Sequence, residues 1–295
     1  MLLSLLLGSL AVIQSPQTDT IIPVTTGTRL EVSNPGGEIN VHVWERNAVQ
    51  VKARHSSRTF VTIKSHGSVL EIGSDARRGP ANIVDYELMV PAWLPLSLDG
   101  MYSDMTIDGT RAEVKVETLN GNIVVKGGTG TLKLNSVQGS IMVEGARGRL
   151  ELNSVSEGIR VVDAEGDITA ETISGSLEFI RVRSKSVEAG TLSGEILYDG
   201  TFQEGGAYSF VSHSGDIMLG VPEGASATFN IATLDGEVEN LFPVQGLERP
   251  TRRRTTFRVG AGSARVDIES FNGNVRVGRP GQLTIEHDTD DDDEN

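Results

Sequence analysis

The chain has 295 residues, of which 38% are hydrophobic, 34 are glycine and none is cysteine, and it carries a formal net charge of −14. The apolar content is too high for a disordered chain, and the missing cysteines exclude disulfides, thiolate metal sites and cysteine catalysis. The acidic balance repels phosphate backbones and so argues against nucleic acid as a partner.

Residues 2–13 (LLSLLLGSLAVI) form an apolar run followed by the polar stretch QSPQTDT. A membrane-crossing helix takes ~20 apolar residues, so this run is too short to span. It has the composition of a signal-peptide core, with Ser9-Leu10-Ala11 as a small-residue cleavage site. Residues 1–17 are therefore read as a signal peptide, and export to the periplasm, envelope or exterior is expected, with no integral span after its removal.

Residues 18–109 hold strand-like alternation at Glu38–Trp44, Val49–Arg54, Val61–Lys64, Val69–Ile72 and Tyr86–Val90, and a turn-forming VPAWLPL. A repeat is not evident there, apart from one early relative at Leu30, Val32, Asn34, Gly37, Ile39 and Val41. This section is expected to be an antiparallel β cap, because a bare first rung of a repeat array would expose a hydrophobic edge.

From Val114 the chain repeats one phrase: alternating aliphatics, a Thr or Ser, a small polar residue with Gly, then alternating aliphatics. Val114, Val116, Thr118, Asn120-Gly121, Ile123 and Val125 form one copy; Leu132, Leu134, Ser136, Gln138-Gly139, Ile141 and Val143 form the next. The corner glycines are Gly121, Gly139, Gly158, Gly175, Gly194, Gly215, Gly236 and Gly273, spaced by 17 to 21 residues until a final step of 37. A period near twenty, with period-2 alternation inside each unit, predicts an all-β, parallel β-helix-like solenoid over residues 110–280. The glycines are expected where the chain turns with φ > 0. Two-residue hairpins packed as a sandwich are the competing arrangement.

Residues 281–295 end in an acidic run from Asp288 to Asn295 that reads as a solvated, disordered tail. Calcium is the one ion such a run invites, although it lacks the glycine turn and ligand spacing of a loop site; no other cofactor is expected.

The opening LEVSNPGGEINVHVWERNAVQVKA (30–53), the bridge YELMVPAWLPLSLD (86–99) and the recurring phrase VETLNGNIVV (116–125) together resemble a family of bacterial envelope proteins of the DUF4097 type, labelled "putative adhesin". The resemblance covers about residues 20–277. It implies a right-handed parallel β-helix-like fold, export to the envelope and no assigned catalytic residues. The acidic tail and the Arg252-Arg253-Arg254 loop are not part of the family pattern.

The motif search is consistent with a non-enzyme. None of His42, His55, His66, His213 and His287 pairs with another at metal-ligand spacing, and no nucleophile elbow or phosphate loop is present. Two features stand out as binding candidates. Glu195, Asp216 and Glu237 each follow a corner glycine and would stack at rung spacing, where they could gather a cation or face sugar hydroxyls. Arg252, Arg253 and Arg254, with Arg249, form the one strong basic patch, fit to grip an acidic polymer or to keep an insertion soluble. The sequence thus suggests a non-catalytic surface for an envelope polysaccharide or protein. A polysaccharide lyase or hydrolase using the carboxylate column is the alternative.

Overall fold

A computed structural model describes residues 17–79, 83–241 and 254–285. The apolar N-terminal run, Arg249, Arg252, Arg253, His287 and the acidic tail lie outside these residues. Among the described residues there are 22 strands in one continuous hydrogen-bonded sheet, and no helix.

The repeat stacks as parallel rungs, not as hairpins. Leu96, Val114, Leu132, Leu150 and Ile168 stand one above another, and so do Ile123, Ile141 and Ile159. All are buried to within 2%. Alternation along each strand sends these residues inward, and stacking at ~4.8 Å places like on like, so the core is a set of aliphatic columns. Each buried aliphatic contributes roughly 1.5–3 kcal/mol against chain entropy, and only the stack as a whole shields the inner face. Toward the C-terminal end the rungs lengthen, the pairing is interrupted by bulges, and Tyr198, Phe202, Tyr208, Phe210 and Phe229 replace aliphatics in the columns.

The Thr or Ser of the phrase is a buried ladder. Ser136 Oγ donates to the Gly121 carbonyl at 3.3 Å, Thr191 Oγ1 to that of Gly175 at 3.1 Å, and Ser212 Oγ to that of Gly194 at 3.3 Å. Each hydroxyl thus ties its strand to the corner of the rung before it, and satisfies a carbonyl turned away from the sheet ladder.

The corner glycines correct one expectation. Left-handed φ is found at Gly121 (153°), Gly139 (157°) and Gly215 (141°), but not at Gly158, Gly175, Gly194, Gly236 or Gly273. What the corner requires is close stacking. A Cβ on Gly139 would strike the carbonyl of Gly121, one on Gly194 that of Gly175, and one on Gly215 that of Gly194. Left-handed φ instead marks a different corner, through Gly109, Gly127 and Gly145 and then the non-glycines Asp163 and Arg181, both at 52°.

Rung pairing begins earlier than residue 110. Strand Arg29–Trp44 runs parallel to Leu96–Asp108, matching Leu30 with Leu96, Val32 with Leu98, Ile39 with Met105 and Val41 with Ile107. The phrase is disguised there because Ser103 and Gly37 share the corner position without the usual polar-Gly pair. The intervening stretch of chain supplies Val69–Ala76 and Val84–Pro91, which lie parallel against the outer edge of Arg29–Trp44. Antiparallel partners then follow: Thr59–His66 on the first, and Ala48–His55 with Gln17–Pro23 on the second. The cap is therefore mixed, antiparallel in its outer strands and parallel where it meets the first rung.

The last repeat in sequence is not the last rung in space. Ala264–Asn272 pairs with Ile196–Ser214 on one side and with Ala227–Asp235 on the other, so Val266 lies between Tyr208 and Phe229. Arg254–Val259 then closes the outer side of Ala227–Asp235 in antiparallel fashion, with Phe257 stacked on Phe229 at 5.0 Å between ring centres.

Candidate binding surface

Once the Thr or Ser turns inward, the next residue must point out. In eight successive rungs that residue falls on one register position, Leu119, Val137, Val155 and Ile173, continuing through Leu192, His213, Phe271 and Leu234, and Met101, which follows Gly100, extends the line to a ninth rung. Eight of the nine are apolar, with exposures from 38% at Val155 to 53% at Leu192 and Phe271. The ninth, His213, lays its ring flat on Phe271 at 4.8 Å and 19°. Nine rungs at ~4.8 Å make a line of ~38 Å, apolar at every rung but that of His213. Two shallow grooves run beside it, one of about 510 Å³ along Leu119, Val137 and Val155, the other of about 580 Å³ along Leu192, His213, Phe271 and Leu234.

The first groove is flanked by acidic and amide side chains, whereas the second is lined by Val211, Ala232, Arg254 and Glu269 beside the apolar line. Asp99, Glu117, Asn135, Asn153 and Glu171 stack in the column before the buried hydroxyl. Asn153 Nδ2 donates to Asn135 Oδ1 at 3.0 Å, an amide ladder across two rungs. Asp99 faces Glu117 directly. Burial, and after it the Glu117 charge, holds the Asp99 carboxyl above the ordinary carboxylate range.

The carboxylate column predicted from the corner glycines is only partly assembled. Glu195 and Asp216 are neighbours, but the intercalated rung puts Asn274 between Asp216 and Glu237. The position after the corner is a second hydrogen-bond ladder. Asp104 Oδ1 accepts the Asn122 N–H at 2.7 Å, and Asn122 Oδ1 accepts that of Ser140 at 2.9 Å. Asp216 Oδ1 accepts the Asn274 N–H at 2.8 Å, while its Oδ2 accepts from Arg276 Nη2 at 2.8 Å. Asp216 thus uses both oxygens to tie rungs together. Among the described residues no three His, Cys, Asp or Glu side chains converge as a metal site requires. Of the basic patch, Arg254 is described; it lines the groove at the Leu192–Phe271 end of the apolar line.

The apolar line was missed in reading the sequence, although its signal is plain in hindsight: a Leu, Val or Ile directly after the Thr or Ser of five copies in succession. An apolar residue in an alternating pattern reads as core until the inward hydroxyl before it is recognised.

Parallel rungs around an inward aliphatic core, with one apolar line along the outside, define a β-solenoid that displays a repeated surface. The chain belongs to the Toastrack DUF4097 family, whose model matches residues 5–179 and 152–278. Solved proteins bearing the adhesin label are similar to it. One from Parabacteroides distasonis ATCC 8503 is 13% identical over 89% of this chain and 97% of its own, with a TM-score of 0.47. One from Bacteroides fragilis NCTC 9343 is 11% identical over 89% and 97%, with a TM-score of 0.46. No curated protein matches the chain.

Proposed function

We propose that the protein is a non-catalytic, exported envelope protein whose apolar line is a binding surface for a protein or polysaccharide. The line itself carries this reading. Soluble proteins scatter exposed apolar residues singly, and a contiguous apolar strip rimmed by polar groups marks an interaction site. Maintaining it through nine rungs serves no need of the core, whose columns are filled from the other face of the same strands. The signal-like run at residues 2–13 supports export.

The test is binding of the chain from about Thr18 onward to an array of glycans, envelope polymers and envelope protein fractions, with and without calcium. A saturable ligand whose capture falls on changing Val137 and Val155 to asparagine is the expected result. Capture indifferent to those changes overturns the reading. The lyase or hydrolase alternative requires turnover of a glycan that Asp216→Asn abolishes.

A further inference from the structure

Resting on that reading, we infer that the partner is a basic amphipathic polypeptide segment, its apolar side chains laid on the line and its lysines and arginines on the carboxylates that frame it. The frame is acidic along the first rungs, where Asp99 and Glu117 line the groove, and meets a basic residue, Arg254, beside Glu269 in the groove at its other end. Across the nine rungs, neither the position before the buried hydroxyl nor the one directly after the apolar residue is ever a lysine or arginine. Asp99, Glu117, Glu171 and Glu269 stand on the first side, Asp235 on the second. Lys115, in the same strand as Glu117, is paired with it at 3.0 Å.

Charge complementarity selects the occupant. An anionic polysaccharide or anionic lipid surface would meet Asp99, Glu117, Glu171 and Glu269 along one flank and Asp235 on the other, and a second copy would set acid against acid in a chain of net charge −14. A neutral glycan would leave the charged frame without partners. A basic segment with one apolar face satisfies both features, because burial on the line supplies affinity while the frame supplies attraction and register. A helix repeats its apolar face about every 5.4 Å, close to the ~4.8 Å rung spacing, so roughly one anchor per rung can be met over several turns.

The probe is a synthetic Leu/Lys peptide of about 18 residues, ~27 Å as a helix, with leucines at i, i+3, i+4 and i+7 spacing. A permuted peptide of the same composition is the control, and titration calorimetry against the full chain is the readout. Val137→Asn/Val155→Asn is expected to weaken binding about tenfold or more, since two apolar contacts are lost at exposed positions that leave the core intact. Asp99→Asn/Glu171→Gln is expected to reduce both affinity and its salt dependence. Equal binding of the permuted peptide, or equal binding by the asparagine variant with an unchanged melting temperature, overturns the inference. If the peptide fails to bind while Val137→Asn/Val155→Asn still abolishes capture of a glycan on the array, the partner chemistry falls and the binding surface stands. If neither ligand responds to the line, both fall.

Discussion

The side-chain oxygen of Asn274 accepts the backbone N–H of Glu237 at 3.0 Å across 37 residues of chain, while the Asn274 N–H donates to Asp216 at 2.8 Å. Asn274 therefore joins two rungs that are consecutive in sequence but not in space. The strand Ala227–Asp235 has two sheet neighbours among the described residues, the intercalated Ala264–Asn272 and the antiparallel Arg254–Val259.

Ile268 is fully buried between Phe210 and Ile231 at this junction. Ile268→Ala is expected to cost roughly 3 kcal/mol in chemical denaturation, as a cavity with rungs on both sides cannot collapse. Leu192→Ala, on the exposed line, should change stability by less than about 0.5 kcal/mol. Hydrogen exchange should show Ala227–Asp235 losing protection in Ile268→Ala before the rungs around Leu132 and Leu150 do.

Gly139→Ala is expected to be severely destabilising, by about 3 kcal/mol or more, because the added methyl meets backbone of the preceding rung at Gly121 and neither rung can move without breaking its ladder. Gly190→Ala is the matched control. A Cβ there meets nothing within 4 Å, and its φ is not left-handed, so thermal melting should be nearly unchanged.

Arg181 continues a column that glycine occupies at Gly127 and Gly145, yet it holds φ at 52°. It donates from Nε and Nη2 to Asp163 at 2.7 and 2.6 Å on the exposed corner. Left-handed backbone is costly for a non-glycine residue, whereas a solvent-exposed ion pair stabilises little. Arg181→Gly should therefore raise the denaturant midpoint at constant slope. A loss would mean that the ion pair outweighs the strain.

Asp99 has its folded-state pKa raised, so the folded protein holds that proton more tightly than the unfolded chain does. Its contribution is favourable below the unfolded carboxylate value and is lost as pH rises through the raised one. Asp99→Asn is accordingly expected to stabilise the protein at neutral pH by a few tenths of a kcal/mol, the scale of like charges directly opposite in a sheet. The gain should vanish at acid pH. A constant gain across pH would assign it to packing rather than charge.

Much of this molecule was written in its residues. The alternating aliphatics of Val114–Val125 and their copies determined the inward columns, and the period near twenty determined that copies would stack. The need for a cap was legible too, since an unpaired rung edge is unstable wherever it occurs. Even the outward line at Leu119, Val137 and Val155 was spelled out, once the hydroxyl before each is seen to bond the previous corner. What only the tertiary structure decided was the order of the rungs. Tyr208, Phe229 and Val266 offer interchangeable inward surfaces, so local pattern cannot say which lies beside which. Return of the chain after a 37-residue step puts Val266 in the middle, separates Glu237 from Asp216, and turns an expected carboxylate stack into a ladder that holds the rungs together.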